Sequence, residues 1–190
     1  MSDDVWLNRY RASMMGIVTN PMALLVRGEG CYVWDAEGNR YLDFLAGIAV
    51  NALGHAHPVL VDAISTQIAT LAHVSNYFAT SPQIELAQRL QRLSGAGDAG
   101  RVFFCNSGSE AVDTALKIAL AYHRARGEGH RTRLIGREKG YHGVGFGGIS
   151  VGGLPNNRKW FGSLLPGVDH IRHTLDLERN AFSRGLPAHG

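Results

Sequence analysis

Residues 106–110, Asn-Ser-Gly-Ser-Glu, combine the residue types that bind anions through backbone and hydroxyl donors. A helical apolar spacing begins directly after them, so this loop stands at the start of a helix. Helix N-termini present unpaired N–H groups and the positive end of the helix dipole. Ser107, Gly108 and Ser109 therefore predict a phosphate-binding cup, with a plain helix cap as the alternative interpretation.

The elements on either side of this loop must hold it in place. Residues 101–105 form an apolar run rich in β-branched and aromatic types, which predicts a short strand. Residues 110–126 have the apolar spacing of a long amphipathic helix. Ser107 and Glu110 match the capping box that specifies a first helical turn. We therefore predict a strand, a polar loop and a long helix in this order.

A second candidate segment follows the next predicted strand, residues 131–135, and contains Tyr141 and His142. Ligands of open α/β sheets bind just past strand ends, where these two side chains fall. The glycines that follow are Gly143, Gly145, Gly147 and Gly148. They lack the G-x-G-x-x-G register after a strand and an acidic residue about twenty positions later, so we do not expect NAD binding.

Composition describes an ordinary folded protein with glycine in excess. The chain has 190 residues, 45% of them apolar and 18% charged, which excludes a disordered chain or a disulfide miniprotein. The length suffices to bury a hydrophobic core. The net charge of +3 is small, and the most basic stretch, residues 123–140, lacks interleaved aromatic residues. We therefore expect no nucleic-acid partner.

Cysteine and histidine usage points away from a metal centre and from secretion. Cys31 and Cys105 lie far apart in apolar surroundings, and we predict two buried thiols in a reducing cytosol. His55 and His57 have no third ligand type nearby, so we do not expect them to bind a metal. The N-terminus has no signal core, and no stretch reaches the roughly 18 apolar residues of a membrane span. The expected location is cytoplasmic, without membrane contact.

The sequence before residue 101 predicts a series of short helices and strands. Trp6 to Met15 predicts an N-terminal helix, and residues 23–44 alternate like a β-meander with two glycine turns. Pro58 begins one predicted helix, and a second starts after residues 80–83. We place a domain boundary between these parts: residues 1–54 as helix and meander, and residues 55–190 as a partial large domain.

Four blocks of the chain resemble the class III aminotransferases, which use pyridoxal phosphate (PLP) on the fold type I scaffold. The blocks are residues 41–58, 73–80, 103–117 and 140–148. Residues 1 to about 100 are similar to acetylornithine and ornithine aminotransferases, and the chain from about Ser109 onward to ω-amino acid:pyruvate aminotransferases. The resemblance implies an α/β fold: a partial large domain with a mainly parallel sheet, preceded by the helix and meander.

The resemblance also implies roles for individual residues. Ser107, Gly108 and Ser109 would hold the cofactor phosphate, Tyr141 would stack on the pyridine ring, and His142 would support that loop. The substrate entrance would be lined by Asn76, Tyr77 and Phe78, which in a homodimer serve the partner subunit's site. Val144 stands where acetylornithine enzymes carry an arginine for the substrate carboxylate, which argues against acetylornithine as the donor.

The chemistry that the resemblance implies needs a lysine amine to bind the cofactor covalently. The chain has three lysines, Lys117, Lys139 and Lys159, and none matches the position that the family uses. We therefore expect that lysine beyond Gly190, and we expect the chain to be an N-terminal half that contains no catalytic residue and is inactive alone.

The activity implied is transfer of an amino group from an ω-amino acid, an amine or an acetylornithine-like donor to a keto acid such as pyruvate or 2-oxoglutarate. Two other interpretations remain open from the residues. One is a non-catalytic fragment or interaction subunit that pairs with a complete aminotransferase. The other is a phosphate- or nucleotide-binding α/β protein.

Overall fold

The computed structural model describes residues 3–16 and 20–175, together with two short strands at 182–183 and 186–187. The chain divides into two compact units, Met1–Thr80 and Ser81–Gly190. The domain boundary between residues 54 and 55 stays a prediction.

The elements follow one another with short connections. In chain order they are α1 (Asp3–Ser13), β1 (Leu25–Glu29), β2 (Tyr32–Asp35), β3 (Arg40–Leu42), α2 (Ala46–Ala49), α3 (Pro58–Thr70), α4 (Ser81–Ser94), α5 (Gly108–Ala125), β4 (Leu134–Arg137), α6 (Phe146–Val151), a 3₁₀ turn (Pro155–Asn157), β5 (Val168–Ile171), β6 (Phe182–Ser183) and β7 (Leu186–Pro187). Across the described ranges, none of the helices has the length and apolarity that a bilayer crossing requires.

The predicted meander is confirmed in the first unit, where β1, β2 and β3 pair antiparallel in chain order. Asp35 closes its second turn and is only 4% exposed. Its carboxylate accepts hydrogen bonds from the Tyr41 hydroxyl at 2.7 Å and from the backbone and side-chain nitrogens of Asn39 at 2.8 and 2.9 Å. The Tyr41 hydroxyl, followed by these other donors, lowers the pKa of Asp35 despite the opposing effect of burial.

A left-handed turn follows the meander. All four residues of α2 have positive φ, although only Gly47 lacks a side chain. Asp43 supports this strained turn, since its Oδ1 accepts from the N–H groups of Leu45 and Ala46. Its Oδ2 lies 2.8 Å from Nε2 of His55, and this hydrogen bond is the main cause of the lowered pKa of Asp43.

His55 also joins this turn to the first hairpin. Its backbone exchanges two hydrogen bonds with Gly30, at 2.8 and 3.0 Å. A Cβ on Gly28 would lie 2.6 Å from the His55 ring, so the glycine makes the close approach possible. The histidine is thus a structural tie within the first unit.

The predicted helices are present. The helix expected from Pro58 is α3, the helix expected after residues 80–83 is α4, and the N-terminal helix is α1. The apolar faces that their spacing predicts are largely exposed, as for Ile64 and Ile68 of α3. Among the described residues, the buried apolar side chains are Val33, Ile149 and Val151. The expectation of a sizeable core is wrong for the described residues, because little within them covers these faces.

The second unit contains the parallel pairing. β4 pairs parallel with β5 in the register Leu134 to Val168 and Arg137 to Ile171. The strand predicted at residues 131–135 therefore begins three residues later than expected. Helix α6 packs on both strands, and its Ser150 is fully buried, with its hydroxyl accepting from the N–H of Leu165 at 3.0 Å.

Two further predictions from the sequence are wrong, the strand at residues 101–105 and the burial of the cysteines. Residues 101–105 form no strand, because a strand needs a hydrogen-bonded neighbour and none of the described strands pairs with them. Phe103 and Phe104 are accordingly exposed. Cys31 and Cys105 are also exposed, not buried, because Cys31 sits in the turn between β1 and β2 and Cys105 continues the uncovered apolar run.

Candidate functional site

The first turn of α5 has the serine half of the predicted capping box, and the glutamate half is shifted by one residue. Ser107 is the N-cap residue in extended conformation, and its Oγ accepts from the N–H of Glu110 at 3.2 Å. The Glu110 carboxylate accepts from the N–H of Asn106 at 2.7 Å, one residue before the N-cap whose N–H a capping box would use. These two hydrogen bonds hold the polar loop at the start of an 18-residue helix.

The loop is open on the side where an anion would bind. Gly108 and Ser109 are the first residues of the helix, so their N–H groups have no carbonyl within the helix to bond with. Space around Gly108 is free, since a Cβ there would meet no heavy atom within 4 Å. Ser107 and Gly108 are exposed and Ser109 is half-buried. The cup therefore offers two backbone donors and two hydroxyls at the positive end of a helix dipole, a set that fits a phosphate group.

The loop of Tyr141 lies directly against this cup. The N–H of Val144 donates a hydrogen bond of 3.0 Å to Oγ of Ser109. A Cβ on Gly143 would lie only 2.7 Å from Cα of Ser109, so the two backbones approach as closely as a glycine allows. Tyr141, 60% exposed, presents its ring from this loop, while His142 is half-buried. The structure thus brings together the two segments that the sequence singled out in the second unit.

Asp113 is a site residue that the sequence reasoning missed. It lies one turn after Ser109 on α5, and its Oδ1 accepts from the N–H of Gly148 at 2.8 Å. Cβ atoms on Gly145 and Gly147 would lie 2.3 and 2.6 Å from its carboxylate oxygens. Two features of the sequence could have indicated this role. Asp113 lies four residues after Ser109 and therefore on the same helix face, and the glycine run after His142 had been assigned no function.

The root of the Tyr141 loop is packed backbone to backbone. Lys139 follows β4 with a φ of 63°, which turns the chain sharply into the loop. Its N–H donates to the carbonyl of Gly153, and the N–H of Gly153 donates to the carbonyl of Gly140. A Cβ on Gly153 would lie 2.2 Å from the Arg137 carbonyl oxygen, so only glycine fits there.

The predicted substrate-entrance residues belong to the other compact unit. Asn76, Tyr77 and Phe78 form a turn in which the N–H of Phe78 donates to the Ser75 carbonyl at 2.9 Å. The Tyr77 side chain is 93% exposed. Their role towards a substrate stays a prediction.

Within the described residues no cluster of three metal-binding side chains occurs. The ring of His55 forms a hydrogen bond with Asp43.

Comparisons with known proteins identify relatives of this arrangement. The family model described as class III aminotransferase matches residues 15–184. An omega-aminotransferase of Caulobacter vibrioides is 51% identical over 169 residues, which are 88% of this chain and 38% of that protein. An acetylornithine aminotransferase of Bifidobacterium longum is 42% identical over 176 residues, covering 90% of this chain and 41% of that protein. The chain thus spans about two fifths of the length of these relatives.

A solved structure shows the same fold. An amine transaminase from an uncultivated Pseudomonas species, determined in its PLP-bound form, aligns with a TM-score of 0.78 and 34% identity. The alignment covers 85% of this chain and 38% of that protein.

Proposed function

Because the chain belongs to the class III aminotransferase family, we propose that it forms the phosphate-binding and ring-binding part of a PLP-dependent aminotransferase. Its fold is the α/β fold of the type I transaminases, as the family resemblance implies. The observation that carries the proposal is the contact between the α5 cup and the Tyr141 loop through Ser109 and Val144. PLP, when bound, supplies the ring that carries the amino group between the two substrates.

The cup would hold the phosphate through donors that the fold has already oriented. The N–H groups of Gly108 and Ser109 point out of the helix end, and the Ser107 hydroxyl lies beside them. Ser107 Oγ accepts from Glu110 N–H and Ser109 Oγ accepts from Val144 N–H, so each hydroxyl proton remains available to donate to the anion.

The Tyr141 loop would supply the platform for the pyridine ring. Its aromatic side chain is exposed, on a loop whose Gly143 and Val144 contact Ser109 of the cup, which suits stacking on a ring attached to a phosphate held there. His142 is half-buried behind it and would support the loop. The donor would be an amine, an ω-amino acid or an acetylornithine-like compound, and the acceptor would be a keto acid. Val144 stands where acetylornithine enzymes carry an arginine for the substrate carboxylate, which argues against acetylornithine itself.

We further propose that the 190 residues bind phosphate without turning over an amino donor. None of Lys117, Lys139 and Lys159 matches the lysine that the resemblance implies for covalent attachment of the cofactor. Transaminase activity of the purified chain that disappears in Lys117→Ala or Lys139→Ala would overturn this part of the proposal. A homodimer in which Asn76, Tyr77 and Phe78 serve the partner subunit's site belongs to the same proposal.

Calorimetric titration tests the function directly. We would compare pyridoxamine 5′-phosphate, which cannot condense with exposed lysines, with NAD, ATP and inorganic phosphate. We expect the pyridoxamine phosphate to bind most tightly, and Ser109→Ala to weaken it about tenfold because a donor to a charged group is lost. Ser163→Ala, at an exposed serine of the same unit, serves as the control. Preference for NAD or ATP would instead favour a nucleotide-binding protein.

A further inference from the structure

Two side chains of α5, one turn apart, lie against the glycine-rich loop. Ser109 contacts Gly143 and Val144, and Asp113 contacts the backbone from Gly145 to Gly148. Residues four apart lie on one face of a helix, so a single face of α5 contacts the stretch from Gly143 to Gly148. The glycines that resemble a dinucleotide motif only superficially are the positions where this face meets the loop.

Asp113 supplies a helix cap that α6 lacks. The N-cap residue of α6 is Gly145, which has no side chain to accept a hydrogen bond. An N-cap side chain normally accepts from the third N–H of its helix, and in α6 that group is the N–H of Gly148, which donates to Asp113 at 2.8 Å. A carboxylate from α5 therefore does for α6 what a serine or aspartate at position 145 would do locally. Capping by a carboxylate is charge-assisted, which strengthens the link.

The link connects two parts of the proposed site. Ser109, one turn before Asp113, belongs to the phosphate cup, while Tyr141 lies at the beginning of the loop that Asp113 holds at its end. The loop is tied at Val144 by Ser109 and at Gly148 by Asp113, so its path is determined by α5 at two points.

We propose that Asp113 is a positioning residue that keeps the Tyr141 loop at a constant distance from the phosphate cup. It would contact neither the phosphate nor the ring of the cofactor, and would act through the backbone of Gly145, Gly147 and Gly148. The inference rests on the proposed function, in which the Tyr141 loop and the phosphate cup bind two parts of the same cofactor. The inference predicts that Asp113 affects the binding affinity contributed by the ring of the ligand and not the affinity contributed by its phosphate.

The test compares two ligands on the full 190-residue chain. Calorimetry would give the ratio of the dissociation constant of inorganic phosphate to that of pyridoxamine 5′-phosphate, which measures what the ring contributes. In Asp113→Ala we expect this ratio to fall about tenfold, as in Tyr141→Ala, with the affinity for inorganic phosphate changed less than about twofold. Asp113→Asn keeps an oxygen acceptor for Gly148 and should retain most of the ratio. Asp62→Ala, at an exposed carboxylate of α3, should leave it unchanged.

A steric complement tests the same contact even if Asp113→Ala folds poorly. Gly145 has a φ of −67°, so alanine suits its backbone, but the new Cβ would collide with the Asp113 carboxylate. Gly145→Ala alone should therefore lower the ratio, while the added methyl should cost nothing further once Asp113 is alanine. Such non-additivity reports direct coupling between the two positions.

The outcomes separate the two proposals. A wild-type preference for the pyridoxamine phosphate that survives Asp113→Ala would overturn this inference alone. So would an equal loss of phosphate and pyridoxamine phosphate affinity in that variant, since it would assign Asp113 to the general fold. A wild-type chain that binds both ligands equally, or neither, would overturn the proposed function and this inference together.

Discussion

The hydroxyl oxygen of Ser109 accepts a hydrogen bond of 3.0 Å from the backbone N–H of Val144. This contact joins the first turn of a long helix to a loop that begins more than thirty residues later. It uses only the backbone of Val144, whose side chain is 73% exposed. Any residue type other than proline at position 144 can therefore keep the contact between cup and loop.

Capping and anion binding at Ser107 should be separable. Ser107→Ala removes the acceptor for the Glu110 N–H and should lower the free energy of unfolding by about 1 kcal/mol. Ser107→Asp restores an acceptor at the N-cap and a favourable charge at the helix end, so stability should return while the added charge repels phosphate. Urea unfolding and phosphate titration measure the two effects. Undiminished phosphate binding by Ser107→Asp would place the anion elsewhere.

The left-handed conformation of Lys139 should be visible in its substitutions. Its φ of 63° is unfavourable for residues with a Cβ and worst for β-branched ones. We expect Lys139→Gly to raise the free energy of unfolding by about 0.5 kcal/mol and Lys139→Val to lower it by about 1 kcal/mol. The matched control is Lys117→Gly within α5, where the same exchange should cost about 1 kcal/mol. Equal signs for the two glycine substitutions in urea unfolding would contradict the assignment.

Gly153 should not tolerate a side chain. The added Cβ of Gly153→Ala would lie 2.2 Å from the Arg137 carbonyl oxygen and 2.6 Å from the Lys139 nitrogen, both backbone atoms that cannot turn aside. We expect a loss of about 1–3 kcal/mol in the free energy of unfolding. Gly129→Ala, whose Cβ would meet its nearest atom at 4.0 Å, is the control and should remain near wild-type stability. If both variants unfold at the same urea concentration, the close packing at Gly153 is absent in solution.

The first unit should lose stability in acid. Hydrogen bonds hold the pKa values of Asp35 and Asp43 below their ordinary value of 3.8. A carboxylate with a lowered folded-state pKa stabilises the fold fully above its unfolded value, and the contribution disappears as the pH falls through the folded value. The loss should therefore begin below about pH 4, and urea unfolding at pH values from about 7 to about 3 would follow it.

Tyr41→Phe tests the larger cause of the shift at Asp35. Without the Tyr41 hydroxyl the pKa of Asp35 should rise towards 3.8, and its acid titration, followed by NMR of the carboxyl carbon, should move upwards. Tyr32→Phe, the same change on the neighbouring strand of the meander, should leave the titration where it is. An unchanged titration in Tyr41→Phe would assign the shift to Asn39 instead.

Features that depend on local rules could be predicted from the sequence. Ser107 and Glu110 lie three residues apart, so the hydrogen bond from the Glu110 N–H to the Ser107 hydroxyl follows from spacing alone. The meander and the helix that starts at Pro58 follow in the same way from alternation and from the fixed φ of proline.

Features that depend on contacts between residues far apart in the chain could not be predicted from the sequence. Residues 101–105 have strand composition, but composition does not provide the neighbour that a strand needs. Asp113 reads as one more polar position of an amphipathic helix, and its role appears only when the loop folds back onto α5. The glycines at 143, 145 and 147 indicated such a contact, because a run of glycines is typical of a backbone that another group approaches closely.

Residues 143–147 alternate between positions that face α5 and positions that are exposed. Gly143, Gly145 and Gly147 face the side chains of α5, whereas Val144 and Phe146 between them are exposed. The two exposed positions are therefore suited to a combinatorial library: all amino acids can be screened there for altered ligand preference, while the three glycines are kept invariant as the scaffold.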